Sequence, residues 1–198
     1  MGLSLITDAT NEPVLLPQLK TQVKVPQSLS IHDDELTRIA KAARKATERL
    51  TRRAWINQTW KLTLSSFPYG SRFIQLPRPP LVTVTSLAYV DSSSVSQTLT
   101  ESTEFVKRIN SHPGSIVLKP SQSWPTTDPE EMEAVTITYV AGYGTGSTTV
   151  PEEAKQAILA LTDYWWMNPD KRDVPEFIHS LLHGLHCGMI LGAYEVTA

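Results

Sequence analysis

Apolar spacing changes period twice along this chain of 198 residues, and that double change limits the fold more than any motif does. Over about residues 31–53, Leu36, Ile39, Ala43, Ala46 and Leu50 recur every three to four positions, the stripe of an amphipathic helix. From Trp55 to Tyr143 the period is two: Trp60, Leu62 and Leu64 alternate with Thr59, Lys61 and Thr63, and Val135, Ile137 and Tyr139 with Thr136 and Thr138. After Thr149, Pro151 and Glu152, a helix-start signal, the helical period returns with Ala154, Ala157, Ile158, Leu161 and Trp165. This order predicts an α+β protein, a small helical bundle with an inserted antiparallel β-meander region. The expected parts are an N-terminal helical part over 1–54, a β region over 55–147, and a C-terminal helical part over 148–198 that packs with the N-terminal helices.

The finer reading starts with an extended lead over 1–13 and a short helix over Val14 to Val25 with Pro17 in its first turn. Ser30 with Asp33 resembles a capping box for the long helix, and the alanines on its stripe imply close approach of another helix. Strands are expected at Phe73–Leu76, Val82–Val90, Phe105–Ile109 and Ile116–Lys119, separated by proline- and glycine-rich breakers. Ser121–Glu133 reads as a surface loop. Asn168-Pro169-Asp170 ends the first C-terminal helix, and a last one is expected over 175–190.

Charge excludes a coating role on nucleic acid. Lys and Arg total 18 against 20 Asp and Glu, a formal net charge of −2. Cys187 is the only cysteine, which rules out an intrachain disulfide and suits a reducing cytoplasm. The N-terminus has no secretion-signal pattern, and no apolar run reaches the length of a membrane span.

Candidate chemistry is sparse. Gly142-Tyr143-Gly144-Thr145-Gly146 lies between a strand and a helix, but Ser147 stands where a dinucleotide fingerprint needs its third glycine, so a strand-to-helix loop is favoured. His179, His183, His186 and Cys187 are the sharpest metal set. They share one short helix, whereas a tight site draws ligands from two elements, so an interface helix is favoured. The acids Asp128, Glu130, Glu131 and Glu133 read as a solvated loop, and no nucleophile constellation is present. The reading is therefore no enzyme, no cofactor and no metal. The basic run Arg38, Lys41, Arg44, Lys45, Arg49, Arg52 and Arg53, opposed only by Glu48, is either a solvated helix face or a salt-sensitive contact with DNA phosphates or an acidic neighbour.

Several short pieces share an order along the chain. They are Glu12-Pro13-Val14 with Leu19-Lys20; the Asp33-Asp34 helix ending in Arg52-Arg53; and Trp60 in the first strand. Leu76-Pro77-Arg78-Pro79-Pro80-Leu81, Val84-Thr85-Ser86-Leu87, Tyr89-Val90-Asp91, Ser123-Trp124-Pro125 and Val140-Ala141-Gly142-Tyr143 follow. This succession resembles the head–tail connector (adaptor, head-completion) proteins of tailed phages. The resemblance implies a structural protein of the virion neck, assembled in the host cytoplasm as a homo-oligomeric, twelvefold ring under the portal. It implies three partners: the portal protein, a tail-proximal neck or tail completion protein, and double-stranded DNA that passes non-specifically through the channel. No membrane is involved. Arg38, Lys41, Lys45, Arg52 and Arg53 are then the candidates for the interface or DNA channel. Trp165, Trp166, Phe177 and Leu181 are the candidates for portal or neighbouring subunits, with residues 171–198 expected to order against them. Two rivals are a ligand-binding β module with Trp124 and Tyr143 as a platform, and a DNA-binding regulator using 36–53.

Overall fold

The structure, a computed structural model, describes residues 1–171 and 173–188. The described chain divides into two compact units, each built from separated stretches of sequence. One unit holds Met1–Asp8 and Asn57–Gly142, and the other holds Ala9–Ile56 and Tyr143–Cys187.

The helical unit contains α1 (Leu16–Gln22), α2 (Asp33–Thr51), α3 (Glu152–Met167) and α4 (Glu176–Leu182), with short 3₁₀ turns at Ser147–Thr149 and His183–Leu185. Pro17 sits in the first turn of α1, where its missing N–H costs nothing, and the Gln18 side chain accepts the Leu15 N–H at 2.8 Å. The α2 helix begins later than the expected Ser30 cap. His32 is the N-cap residue without a side-chain cap bond, and Asp33, Asp34 and Glu35 fill the first turn, where carboxylates suit the helix dipole. Arg52 ends α2 in the left-handed region, at φ 56°. Ala40, Ala43 and Ala46 of α2 and Ala154 and Ala157 of α3 are buried in one core with Trp55, Ile56, Ile158 and Leu161. The small side chains let the two helix backbones approach closely, as the alanine stripe requires. The α4 helix contributes Ile178 and Leu182 to the same core.

The β unit contains β1 (Gly2–Thr7), β2 (Gln58–Leu64), β3 (Phe73–Leu76), β4 (Leu81–Val90), β5 (Ser96–Leu99), β6 (Phe105–Arg108), β7 (Gly114–Leu118) and β8 (Val135–Ala141). Five strands form one sheet in the order β1-β2-β8-β4-β5, and three form another in the order β3-β7-β6. Every pairing is antiparallel, as expected, but the order is not a meander: β2 pairs with β1 and β8, its neighbours in space rather than its next strand in sequence. Residues 2–7, read as a lead into the helical part, are a sheet strand. Period-two alternation builds the core face row by row. One row runs Leu3, Leu62, Ile137, Leu87 and Leu99 across all five strands. The opposite face carries Ser4, Lys61, Thr138 and Ser86 in a matching row. Tyr139 is buried on the core face, and its hydroxyl donates to the Pro77 carbonyl at 2.9 Å.

Candidate assembly surfaces

The α2 helix sorts its cations onto two sides. Arg38, Lys41, Lys45, Arg49 and Arg52 are exposed at successive spacings of three or four, so they form one row about 20 Å long. Arg38 and Glu35 approach to 3.8 Å at the row's N-terminal end, and both are exposed, so the pair is worth little.

Arg44 departs from the sequence reading. Its side chain is 1% exposed; Nε donates to Glu12 Oε2 at 2.9 Å and Nη1 to Glu48 Oε2 at 3.2 Å. Glu48, expected on the polar face, is also buried, and its Oε1 accepts the Trp55 backbone N–H at 3.0 Å. The Trp55 indole N–H donates to Thr47 Oγ1 at 3.0 Å. The basic run therefore contains one residue that belongs to the interior, where an unpaired guanidinium would be costly. Burial pushes the Glu12 carboxyl above its ordinary value of 4.5 and outweighs the opposing pull of the Arg44 guanidinium.

Arg53 is likewise engaged within the unit. It donates from Nε to the Leu185 carbonyl at 2.5 Å and from Nη1 to the Tyr143 hydroxyl at 3.0 Å, which ties the chain past α4 to the end of α2. The Cys187 N–H donates to the Thr51 carbonyl at 3.0 Å, another tie to the same helix end.

Trp165 and Trp166 meet α2 across a groove of about 360 Å³ lined by Glu35, Arg38, Ile39, Ala42 and Pro169. The Trp165 indole N–H donates to the Asp173 carbonyl at 2.9 Å, and Trp166 packs edge-on to His32 with ring centroids 5.3 Å apart. Both rings are half-buried, so each still offers surface. Phe177 and Leu181, one helical turn apart on α4, are 48% and 39% exposed, while Ile178 and Leu182 face the core. The expected apolar candidates thus form two surfaces, a groove and a short ridge. Residues 171–198 were expected to order against portal or a neighbour; in their described part α4 packs into the subunit's own core through Ile178 and Leu182. Residues 172 and 189–198 lie outside the described residues.

Gly144 and Asp128 each have a local structural role. Gly144 has φ +148°, and a Cβ there would sit 2.6 Å from Thr149 Oγ1, so the local backbone needs this glycine without any phosphate. His179, His183 and His186 border a groove of about 370 Å³ with Leu50, Thr51 and Leu182. Among the described residues no three His, Cys, Asp or Glu side chains form a group able to hold a metal ion. Asp128 structures its loop by accepting from the Ser94 hydroxyl at 2.6 Å and the Glu130 N–H at 2.9 Å, and these bonds hold its carboxyl below the usual range. Trp124 stacks on Phe67 at 4.7 Å, and Tyr143 on Trp55 at 5.9 Å, so each proposed platform ring spends a face on an internal partner. No helix among the described residues is long and apolar enough to cross a membrane.

No family model and no curated protein matches the chain. Solved structures do. A chain from the neck of an empty gene transfer agent (GTA) particle, computed with C6 symmetry, superposes with a TM-score of 0.81 at 21% identity, covering 98% of this chain and 99% of that one. A chain from the virion of a native GTA particle gives 0.78 at 21% identity with the same coverage. A chain from the neck of a native GTA particle, computed with C12 symmetry, gives 0.74 at 22% identity, again with the same coverage. At this identity the likeness is one of fold, and it extends over both units from end to end.

Proposed function

We propose that this chain is a head–tail connector, a structural subunit of the neck of a tailed-phage-like particle. One observation carries the reading: the whole α+β fold, not a fragment of it, matches a chain from a particle neck over 98% of one and 99% of the other. The neck structures with sixfold and twelvefold symmetry support a closed ring, and we assign twelve copies. The ring sits in the virion neck below the portal and extends the DNA channel towards a tail-proximal neck or tail completion protein.

The chemistry fits that role. A connector needs extended contact surface and no reaction centre, and the Gly144 turn and the Asp128 loop have local structural causes. Arg38, Lys41, Lys45 and Arg52 supply a row of positive charge for an acidic neighbour or for passing phosphates, which attract any sequence alike. Arg53 has a different part, holding the C-terminal stretch against α2. Trp165, Trp166, Phe177 and Leu181 supply aromatic and aliphatic anchors for portal or a neighbouring subunit. The chain is not an enzyme in this reading.

The test is genetic. A particle genome with the reading frame interrupted should yield heads and free tails that do not join, and wild-type protein supplied in trans should restore joining. Normal, infectious or transducing particles made without the protein would overturn the proposal.

A further inference from the structure

The five-stranded sheet ends in two unlike edges. β1 pairs only with β2, and β5 only with β4, among the described strands. Natural proteins blunt free edges with lysine, proline, inward charge or bulges, because unpaired backbone groups recruit further strands. β1 reads Gly2-Leu3-Ser4-Leu5-Ile6-Thr7, with no charge and no proline, and its only register shift falls between Leu5 and Thr7. Leu5 and Ile6 are 39% and 56% exposed. β5, Ser96-Gln97-Thr98-Leu99, is also uncharged.

We propose that these edges are made for each other in different copies: β1 of one subunit takes β5 of the next as a sixth strand. The inference rests on the ring reading above. Three features select this occupant. First, length: the four residues of β5 match Gly2–Leu5, the regular part of β1 before its register shift. Second, facing: with Ser96 beside Gly2, Thr98 falls beside Ser4 on the polar face and Leu99 beside the half-covered Leu5 on the core face, so both periods continue. Third, direction: four antiparallel steps separate β1 from β5, so the two edges run the same way. A rotation that preserves strand direction then joins them in parallel, and because the two edges differ the contact is head-to-tail and can close a ring. A two-fold dimer would instead pair β1 with β1 in antiparallel.

The experiment is cross-linking of the full chain combined with electron microscopy of the same sample. Ser4→Cys and Thr98→Cys are placed together and singly; the native Cys187 is buried and serves as the background. Under mild oxidation the double variant should give a ladder of covalent multimers that ends at the ring size, and neither single variant should exceed wild type. Rings visible in the microscope without a ladder would overturn the strand pairing and leave the ring reading standing. A covalent dimer from Ser4→Cys alone would overturn it in favour of two-fold pairing. Absence of rings and of a ladder would overturn both. As a second variant, Ser4→Lys with Ile6→Lys places charge on two exposed edge positions. It should keep the wild-type unfolding midpoint yet need roughly tenfold more protein to form rings, the effect natural edge lysines have on strand addition. Ring formation at the wild-type concentration would count against the proposal.

Discussion

The helical unit and the β unit solve the problem of a buried interior in opposite ways. The helical interior contains a charged network, Glu12–Arg44–Glu48, linked through Trp55 to Thr47. One core row of the large sheet is apolar from edge to edge, Leu3 to Leu99. A charge network fixes geometry, because only one arrangement satisfies every donor and acceptor. It therefore pins α2, and with it the exposed basic row, at a set rotation. The sheet fixes its register by pattern and, among the described strands, leaves two neutral edges without a further strand. One unit presents charge held rigidly; the other presents sheet edges that no other described strand covers.

The largest expected effect tests that contrast in the interior. Arg44→Met strands Glu12 and Glu48 without their cation, and unfolding in denaturant should show a loss of about 3–5 kcal/mol. Adding Glu12→Gln and Glu48→Gln to the same chain should recover much of it. In the β unit Ile137→Ala should cost about 2–5 kcal/mol through the cavity it leaves, with no such electrostatic rescue available. A mild Arg44→Met phenotype, or no recovery in the triple variant, would break the contrast.

A smaller effect on stability, but a large one on assembly, is expected at the surface. Charge reversal of Lys41 and Lys45 should shift stability by no more than about 0–1 kcal/mol, as exposed charges do. It should impair assembly or genome delivery, and more so at low salt, since screening weakens exposed interactions. Phe177→Ser with Leu181→Ser should likewise leave the fold intact and weaken attachment to portal, read by co-sedimentation. Deleting the whole of 171–198 is a poorer test than the sequence suggests, because it removes Ile178 and Leu182 from the core. Truncation after Gly188 keeps both.

The smallest expected effect is one of sign with pH. Glu12 has a raised carboxyl value in the folded helical unit, so the folded state holds its proton more tightly than the unfolded one. Its contribution is therefore most favourable below 4.5 and is lost as pH rises through the raised folded value. Asp91 and Asp128 in the β unit are lowered from 3.8, Asp91 mainly by the Gln97 amide and Asp128 mainly by the Ser94 hydroxyl. Their contribution is present above 3.8 and lost as pH falls through the lowered values. Carboxyl titration by NMR should place Glu12 above, and both aspartates below, their ordinary values. A Glu12 value at or below 4.5 would contradict the account.

Sequence periodicity was a good guide wherever one segment carried its own signal. Helix positions, the six apolar-patterned strands and the apolar stripe of α3 follow from spacing, except that α4 ends at Leu182 rather than near 190, so His186 and Cys187 lie beyond it and do not share one helix with His179. Two strands escaped it. β5 is Ser-Gln-Thr-Leu, with too little apolar contrast to alternate, and β1 is recognisable as a strand only beside β2, more than fifty residues later. Strand order escaped for the same reason, since β2–β8 pairing is non-local and leaves no local mark. Arg44 and Arg53 show the limit on the candidate surfaces. Spacing alone put them in a basic run, but their partners Glu12 and Leu185 come from distant segments, and helical position gives no hint of either.

Electron microscopy of the purified full chain, alone and mixed with portal protein, tests the central claim most directly. The account predicts a closed ring of twelve copies that docks coaxially on portal and continues its channel. A chain that stays monomeric in the presence of portal, or that forms open filaments in place of rings, would contradict it.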